Sequence, residues 1–288
     1  MTRSIALAAA MLLVSVQASR AQLVAYDGFN YTSGQSLSGQ NGGSGFGGAW
    51  NLMLGTSQIQ AGSLVPAAPS SGLSESGNSL VATPISSGQP EVANRTLAAP
   101  VSGTSGTSAW VSVVMKGSGL SGATSQGALI VSDGSGNGFS ITTGAFGQGI
   151  PPNNPPPSST WSLGDASTGA SEASSNISST LQSLLVARVT FASPNDTVAL
   201  FVNPPLTGSP PASPTISLPV PHAAFLSRID VDYSSLGGSG TSTLFDEIRL
   251  GNSFADVTPS TPLPEPSTLL FAGVAVAGLI VRRKGGRG

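Results

Sequence analysis

The segment from Leu184 to Val202 reads LLVARVTFASPNDTVALFV. In its first eight residues an apolar side chain recurs at every second position, which places Leu185, Ala187, Val189 and Phe191 on one face of a strand. The turn-forming residues ASPND follow at 192–196, and the apolar run TVALFV follows at 197–202. The segment therefore predicts a β-hairpin.

Short apolar runs of the same kind recur along the chain, at 109–116 (AWVSVVMK), 127–132 (GALIVS) and 138–142 (GFSIT). Asp230 and Asp232 alternate with the apolar residues of a further strand, Ile229, Val231 and Tyr233. The Pro- and Ser-rich stretches 149–159 and 204–221 predict exposed loops. No part of the mature chain has a long apolar period of 3.6 residues, so we predict an all-β domain.

The last predicted strand contains two adjacent acids, Asp246 and Glu247. Strict alternation puts Asp246 on an apolar face with Leu244, Ile248 and Leu250, and Glu247 on the opposite face. A carboxylate on an apolar face needs a partner. We expect Arg188 or a pair of backbone amides to supply it.

Composition limits the functions that the domain can have. The chain has 288 residues, no cysteine and one histidine, so thiolate metal sites, thiol nucleophiles and disulfides are excluded. Only five of the 11 basic residues lie between the two ends of the chain, together with all 13 acidic residues, which gives this middle part a formal charge of −8. A nucleic-acid partner is not expected, because it requires a basic surface.

The N-terminus has the pattern of a secretory signal peptide. Arg3 is followed by an apolar stretch at 5–16, and small residues lie at the −3 and −1 positions before a cleavage site between Ala21 and Gln22. The pattern predicts a helical signal peptide at 1–21 that is removed on export.

The C-terminus predicts a membrane-inserted tail. Pro264, Glu265 and Pro266 precede an uncharged run at 269–281, and a basic end follows with Arg282, Arg283, Lys284 and Arg287. Thirteen helical residues span about 20 Å, which is short for a bilayer core of about 30 Å. The basic end would stay in the cytoplasm and leave the domain outside.

Together the Pro-Glu-Pro tripeptide, the short helix and the basic end resemble the PEP-CTERM sorting signal of Gram-negative bacteria. The resemblance covers about Pro262 to Gly288. It implies export across the inner membrane, processing by an exosortase-type membrane enzyme, and delivery to the cell surface, outer membrane or extracellular matrix, often in species that make exopolysaccharide. An ordinary anchor that is never cut is the alternative.

Three further segments resemble laminin-G-like, concanavalin A-like domains: YDGF at 26–29 with the Gly-rich run to Trp50, the hairpin at 195–204, and FDEIRLG at 245–251. The resemblance implies an antiparallel jelly-roll sandwich of two sheets whose first and last strands meet. We therefore predict a sandwich domain at 22–257, a linker at 258–266 with the Pro-Glu-Pro motif, and the sorting tail at 267–288.

The chain lacks the usual catalytic patterns. Glycosidases of this fold use two carboxylates in a Glu-x-Asp-x-x-Glu run, and none of the five glutamates lies in one. His222 cannot form a zinc cluster alone, and we predict that it is a loop residue. The protein is therefore predicted not to be an enzyme, with a diverged glycosidase as the less favoured alternative.

Two features are candidates for ligand binding. Trp161 follows the first Pro-rich stretch between Thr160 and Ser162, and could be an exposed platform for a sugar ring or a cap on the core edge. Asp230 and Asp232 share a strand face and could bind Ca²⁺, although a solvated strand face is the simpler interpretation. The leading hypothesis is a non-catalytic surface protein associated with exopolysaccharide, and the second is a lectin-like carbohydrate-binding module.

Overall fold

The computed structural model describes residues 23–83, 91–118, 125–143, 159–166, 171–235 and 241–260. The predicted signal peptide and the predicted membrane helix lie outside these residues. Fifteen strands and one helical turn, α1, lie within them: β1 Leu23–Asp27, β2 Asn51–Leu54, β3 Gln58–Gln60, β4 Ser79–Ala82, β5 Glu91–Ser102, β6 Ser108–Ser118, β7 Ser125–Ser132, β8 Gly138–Thr143, β9 Thr160–Asp165, β10 Ser171–Ser178, β11 Ser183–Thr190, β12 Asn195–Val202, β13 Ile216–Pro221, β14 Phe225–Ser235, β15 Ser242–Gly251 and α1 Phe254–Val257.

The strands form two antiparallel sheets. Sheet A has the order β13-β12-β11-β6-β15-β4-β3, with β1 also paired to β15, and sheet B has the order β10-β9-β8-β7-β14-β5-β2. Apolar residues from the inner faces of both sheets form one continuous core. The chain therefore folds as the predicted all-β jelly-roll sandwich.

The hairpin predicted over 184–202 is present as β11 and β12, which pair from Leu185 with Val202 to Thr190 with Thr197. Leu185, Ala187 and Val189 all belong to the core between the sheets. The alternation read from the sequence thus gives the correct inner face.

The prediction of a loop throughout 204–221 is wrong for its last part, because 216–221 form β13. Two prolines, Pro219 and Pro221, made this segment look unlike a strand. They are tolerated since β13 lies at the edge of sheet A, where an amide that cannot donate costs no inner ladder bond.

A second, smaller core covers the outer face of sheet A. It contains Trp110 and Phe201 from the sheet, Leu64 and Leu73 from the segment 61–78, and Phe254 of α1. The rings of Trp110 and Phe201 stack with centroids 6.1 Å apart. Sheet A is therefore buried on both faces over much of its area.

The segment at 26–50, which resembles concanavalin A-like domains, is organised around the buried carboxylate of Asp27. Its carboxylate accepts hydrogen bonds from the Phe29 amide (2.9 Å), the Tyr31 hydroxyl (2.7 Å) and the Trp50 indole (2.8 Å). The Arg95 guanidinium also lies 2.8 Å from Oδ2. One carboxylate thus joins β1, the Gly-rich loop and β5.

Candidate functional site

The residues of the predicted sorting signal, Pro264 to Pro266 and the basic end, lie outside the described residues, as do Ala21 and Gln22. The structure does show where the folded part of the chain ends. Pro259 is buried, and its carbonyl accepts a hydrogen bond of 2.8 Å from the Ser74 amide. The packed chain therefore continues to within five residues of Pro264.

None of the helices in the described part of the chain is long and apolar enough to cross a membrane.

The outer face of sheet B carries two register lines of side chains. Asn94, Asp230, Ile130 and Ser140 pair in turn across β5, β14, β7 and β8, and Val92, Asp232, Ala128 and Thr142 form the neighbouring line. Adjacent strands lie about 4.8 Å apart, so each line crosses four strands in about 14 Å. We call the part made by Val92, Asn94, Ile130, Asp230 and Asp232 the acidic face.

The acidic face lies on the part of the outer surface of sheet B that is more exposed to solvent. Val92, Asn94, Ile130 and Asp232 are half-buried, whereas Ser140, Thr142 and Ser162 on the neighbouring strands are buried. Leu54 of the edge strand β2 pairs with Val92 and is 46% exposed. Aliphatic and polar groups therefore lie side by side where solvent reaches the sheet.

The two aspartates of this face have different surroundings. Asp230 is paired with Arg228, whose Nε donates to Oδ1 at 2.8 Å. Burial raises the pKa of Asp230, and the hydrogen bond and charge of Arg228 oppose the shift. Burial, and to a smaller extent the charge of Asp230, raises the pKa of Asp232 to about 7.

Three polar atoms on this side of sheet B are buried and lack a hydrogen-bond partner within the described structure: Asp232 Oδ1, Gln126 Oε1 and Ser140 Oγ. Gln126 is only 4% exposed and Ser140 only 1% exposed. Buried polar atoms are usually paired, so several without partners on one face are unusual. They give the face unused capacity to accept or donate hydrogen bonds.

Of the two alternatives for Trp161, the exposed platform is wrong, because its side chain is 0% exposed and belongs to the core between the sheets. Trp161 of β9 pairs with Thr143 of β8 and points inward, while the flanking Ser162 lies on the outer face. Trp50 and Trp110 are buried as predicted. None of the three tryptophans therefore presents a free ring.

The calcium prediction for Asp230 and Asp232 stays a prediction. Both lie on one face as expected, but the nearest cation to Asp230 is the guanidinium of Arg228. Within the described ranges, no three His, Cys, Asp or Glu side chains are grouped so as to hold a metal ion.

The expectation that Asp246 and Glu247 point to opposite faces is wrong. The pairing of β15 with β6 shifts register between Asp246 and Arg249, and Glu247 has a φ of 54°. This bulge interrupts the alternation, so that Phe245, Ile248 and Leu250 enter the core while both acids lie outside it.

Both acids anchor the segment 61–78 to sheet A. Asp246 accepts from the Ser63 hydroxyl and from the amides of Leu64 and Glu247, so its partner is an amide pair rather than Arg188. Glu247 accepts from the Ser76 amide and pairs with Arg249. Because both carboxylates are 0% exposed and engaged by the protein, this pair does not form an open catalytic cleft.

His222 lies between β13 and β14, as predicted for a loop residue, and is partly exposed. Its Nδ1 lies 2.7 Å from Oδ1 of the buried Asp196. Asp196 also accepts from the amides of Ala192 and Ala223, so it ties the β11–β12 turn to the end of β13. Sequence reasoning missed this carboxylate because its partners come from two separate loops.

Comparison with known proteins identifies the C-terminal signal. Residues 262–284 match the PEP-CTERM protein-sorting motif. The chain thus carries the sorting signal of an exported protein, and the predicted resemblance is confirmed. The sequence has no significant match among curated proteins.

Several solved structures match this chain at low sequence identity. The endo-1,3-β-glucanase from Streptomyces sioyaensis is 12% identical, with 80% of this chain and 95% of that chain covered and a TM-score of 0.43. The metal-free carbohydrate recognition domain of Emp46p is 12% identical, with 71% of this chain and 88% of that chain covered and a TM-score of 0.41. Lectin II from Ulex europaeus is 13% identical, with 62% of this chain and 88% of that chain covered and a TM-score of 0.36.

Proposed function

We propose that this protein is a non-catalytic component of the cell surface or extracellular matrix, and that it holds an exopolysaccharide chain on the acidic face of sheet B. The sorting motif at 262–284 supports delivery to the surface, with an exosortase-type enzyme as the processing partner. The observation that carries the binding proposal is the group of unpartnered polar atoms beside solvent-accessible aliphatic side chains.

A sugar chain fits this combination of groups. Pyranose rings have apolar C–H surfaces and many hydroxyls, and a binding site for them needs aliphatic contacts with a few well-placed polar groups. Val92, Ile130 and Leu54 supply aliphatic contacts on and beside the face. Asn94 and the two aspartates supply donors and acceptors, and an occupied hydrogen bond is worth more where the protein atom is already desolvated.

The sorting function has a direct test. Replacing both Pro264 and Glu265 with alanine should leave the full-length protein in the membrane fraction, because the processing enzyme would no longer recognise its site. Mass spectrometry of surface material from a host that has such an enzyme measures the mature C-terminus. The double variant Ser260→Ala/Thr261→Ala, which changes the linker just before the motif, should be processed normally. Mature surface protein that still carries Arg287 would contradict the proposal.

The binding function is tested with the mature protein and the exopolysaccharide of the same host. Asn94→Ala removes one hydrogen-bonding group from the acidic face and should weaken binding by about threefold to tenfold. Asn252 is an exposed asparagine just after β15, on the other sheet, so Asn252→Ala is a matched control that should bind like the parent. Equal binding by the two variants would argue against the acidic face as the site.

A diverged glycosidase is the second candidate, and one observation favours it. Asp232 has a pKa of about 7 while Asp230 is ion-paired, and a pair of carboxyls with different protonation can serve as acid and base. Release of reducing ends from the bound polysaccharide would support this alternative, provided that Asp232→Asn abolishes it. Binding without any release supports the non-catalytic proposal.

A further inference from the structure

The charges around Asp232 are unbalanced. On its own strand, Arg228 is paired with Asp230, and Asp232 follows with one oxygen that lacks a partner in the described structure. On the neighbouring strand β5, Glu91 pairs with Tyr233 and lies with Ala93 and Arg95 on the inner side of the sheet, so its carboxyl is not part of the acidic face. Two carboxyls therefore share one guanidinium on this face, and Asp230 already engages it.

No other basic side chain of the domain can correct this imbalance. Between the leader and the tail the sequence has only Arg95, Lys116, Arg188, Arg228 and Arg249. Arg95 is paired with Asp27 on the inner side of sheet B, and the remaining three belong to strands of sheet A. The segments outside the described ranges in the middle of the chain contain no Lys or Arg at all.

Two polar side chains on the same face as Asp232 point to a ligand independently of charge. Gln126 of β7 pairs with Ser234, two residues after Asp232 on β14; it is 4% exposed, and its Oε1 has no partner within the described residues. Ser140 lies in the register line of Asp230 on β8; it is 1% exposed, and its hydroxyl has no partner within the same residues. Both are more than nine-tenths buried, and both lie on the same outer face as Asp232, where a ligand could complete their hydrogen bonds.

We infer that the polysaccharide held on the acidic face contains amino sugars, and that a ligand ammonium group binds the carboxylate of Asp232. This inference rests on the proposed carbohydrate-binding function. An ammonium group has three N–H donors, enough for the half-buried carboxylate of Asp232 and for a further acceptor on the adjacent strand β7. Neighbouring sugar hydroxyls would then reach Asn94.

The same charges select against acidic sugars. A uronate placed at Asp232 would bring a third carboxylate to a site with one guanidinium, which is already engaged. An N-acetylated sugar would keep the hydroxyl contacts but lose the ionic one, and charge-assisted hydrogen bonds are about twice as strong as neutral ones. The order of affinity is therefore free amino sugar, then N-acetylated sugar, then uronic acid.

The test compares three oligosaccharides of equal length by isothermal titration with the mature protein: oligoglucosamine, its fully N-acetylated form and an oligouronate. Oligoglucosamine should bind about tenfold more tightly than the acetylated form. In the isosteric variant Asp232→Asn this preference should disappear while the acetylated form still binds. Asp133→Asn, which changes a carboxylate in the β7–β8 turn instead, should keep the preference.

A pH profile of the parent gives a second measurement that a purely structural role would not change. Because the pKa of Asp232 is about 7, its carboxyl ionises as the pH rises from 5.5 to 7.5, while the amino group of the sugar loses its proton toward the upper end of this range. Affinity for oligoglucosamine should therefore pass through a maximum within this range, whereas affinity for the acetylated form should change much less. Asp230 and Arg228 share the acidic face, and Glu91 lies on the inner side of the neighbouring strand, so the profile must be repeated in Asp232→Asn, where the rise on the acid side should vanish.

The outcomes separate the two proposals. Equal affinity for the amino and acetylated forms, tighter binding of the oligouronate, or equally tight binding of a trilysine peptide would overturn the amino-sugar inference and leave the carbohydrate-binding proposal intact where a glycan still binds. Failure of all three oligosaccharides and of the host polysaccharide to bind would overturn both.

Discussion

Replacing Asp27 with alanine should lower the free energy of unfolding by about 3–5 kcal/mol, because it leaves the buried guanidinium of Arg95 without its counter-charge. The same change removes the acceptor for three further donors, from Phe29, Tyr31 and Trp50. A buried donor without an acceptor loses its hydration and gains nothing in return. Urea denaturation of the mature protein measures the change as a lower midpoint at an unchanged m-value.

Asn30→Ala is the control for this prediction. Asn30 is exposed and lies in the same loop, three residues after Asp27, so its removal should change stability by less than about 0.5 kcal/mol. The isosteric Asp27→Asn variant should be intermediate, since the amide keeps one acceptor oxygen. A decrease of under about 1 kcal/mol in the free energy of unfolding of Asp27→Ala would mean that the hydrogen bonds and the ion pair of Asp27 do not hold β1 in place.

Stability should fall as the pH rises from 5 to 8, and Glu91 should be a main cause. Burial raises the pKa of this 1% exposed carboxyl from 4.5 to about 8, so in this range the folded protein binds more protons than the unfolded chain. The free energy of unfolding therefore decreases with pH, by about 2–4 kcal/mol from Glu91. Asp232 and Glu75, with pKa values raised to about 7, act in the same direction.

Glu91→Gln isolates this contribution. Glutamine has nearly the same shape and can still accept the hydrogen bond from the Thr83 amide, so the variant should show a flatter pH profile and greater stability at pH 8. Repeating both profiles in 0.5 M salt distinguishes burial from the general repulsion within a domain whose five basic and 12 acidic residues give a formal charge of −7, because salt screens only the repulsion. A variant profile as steep as that of the parent would assign the pH dependence to other groups.

The parts of the fold that follow from local alternation could be predicted from sequence. The hairpin of β11 and β12 is an example, because its inner residues recur at every second position and its turn has its own signal. The bulge at Glu247 could not be predicted in this way. It is held by Ser76 and Tyr26, which come from distant parts of the chain, and by Arg249 of the same strand. These contacts stabilise a backbone conformation that glutamate rarely adopts.

The candidate site could be predicted only in part from the sequence, for a related reason. Asp230 and Asp232 could be assigned to one face from their spacing, but Gln126, Ser140 and Asn94 join them only through the pairing of β14 with its neighbours. An exposed Trp161 remained an alternative because Thr160 and Ser162 make its surroundings look polar. Ser162 belongs to the opposite, outer face of sheet B, which is itself buried at this strand.

The pairing of β1 with β15 sets the order in which the protein can fold during export. Leu23 pairs with Gly251, which lies 228 positions later in the chain. A chain that crosses the membrane from its N-terminus delivers β1 first and β15 last, so the sandwich cannot close until nearly the whole domain is outside. The predicted sorting tail then enters the membrane, with its basic end still in the cytoplasm. A tail that is retained in the membrane would keep β15 close to the translocation site while it pairs with β1. The domain could then complete its folding before cleavage of the tail releases it.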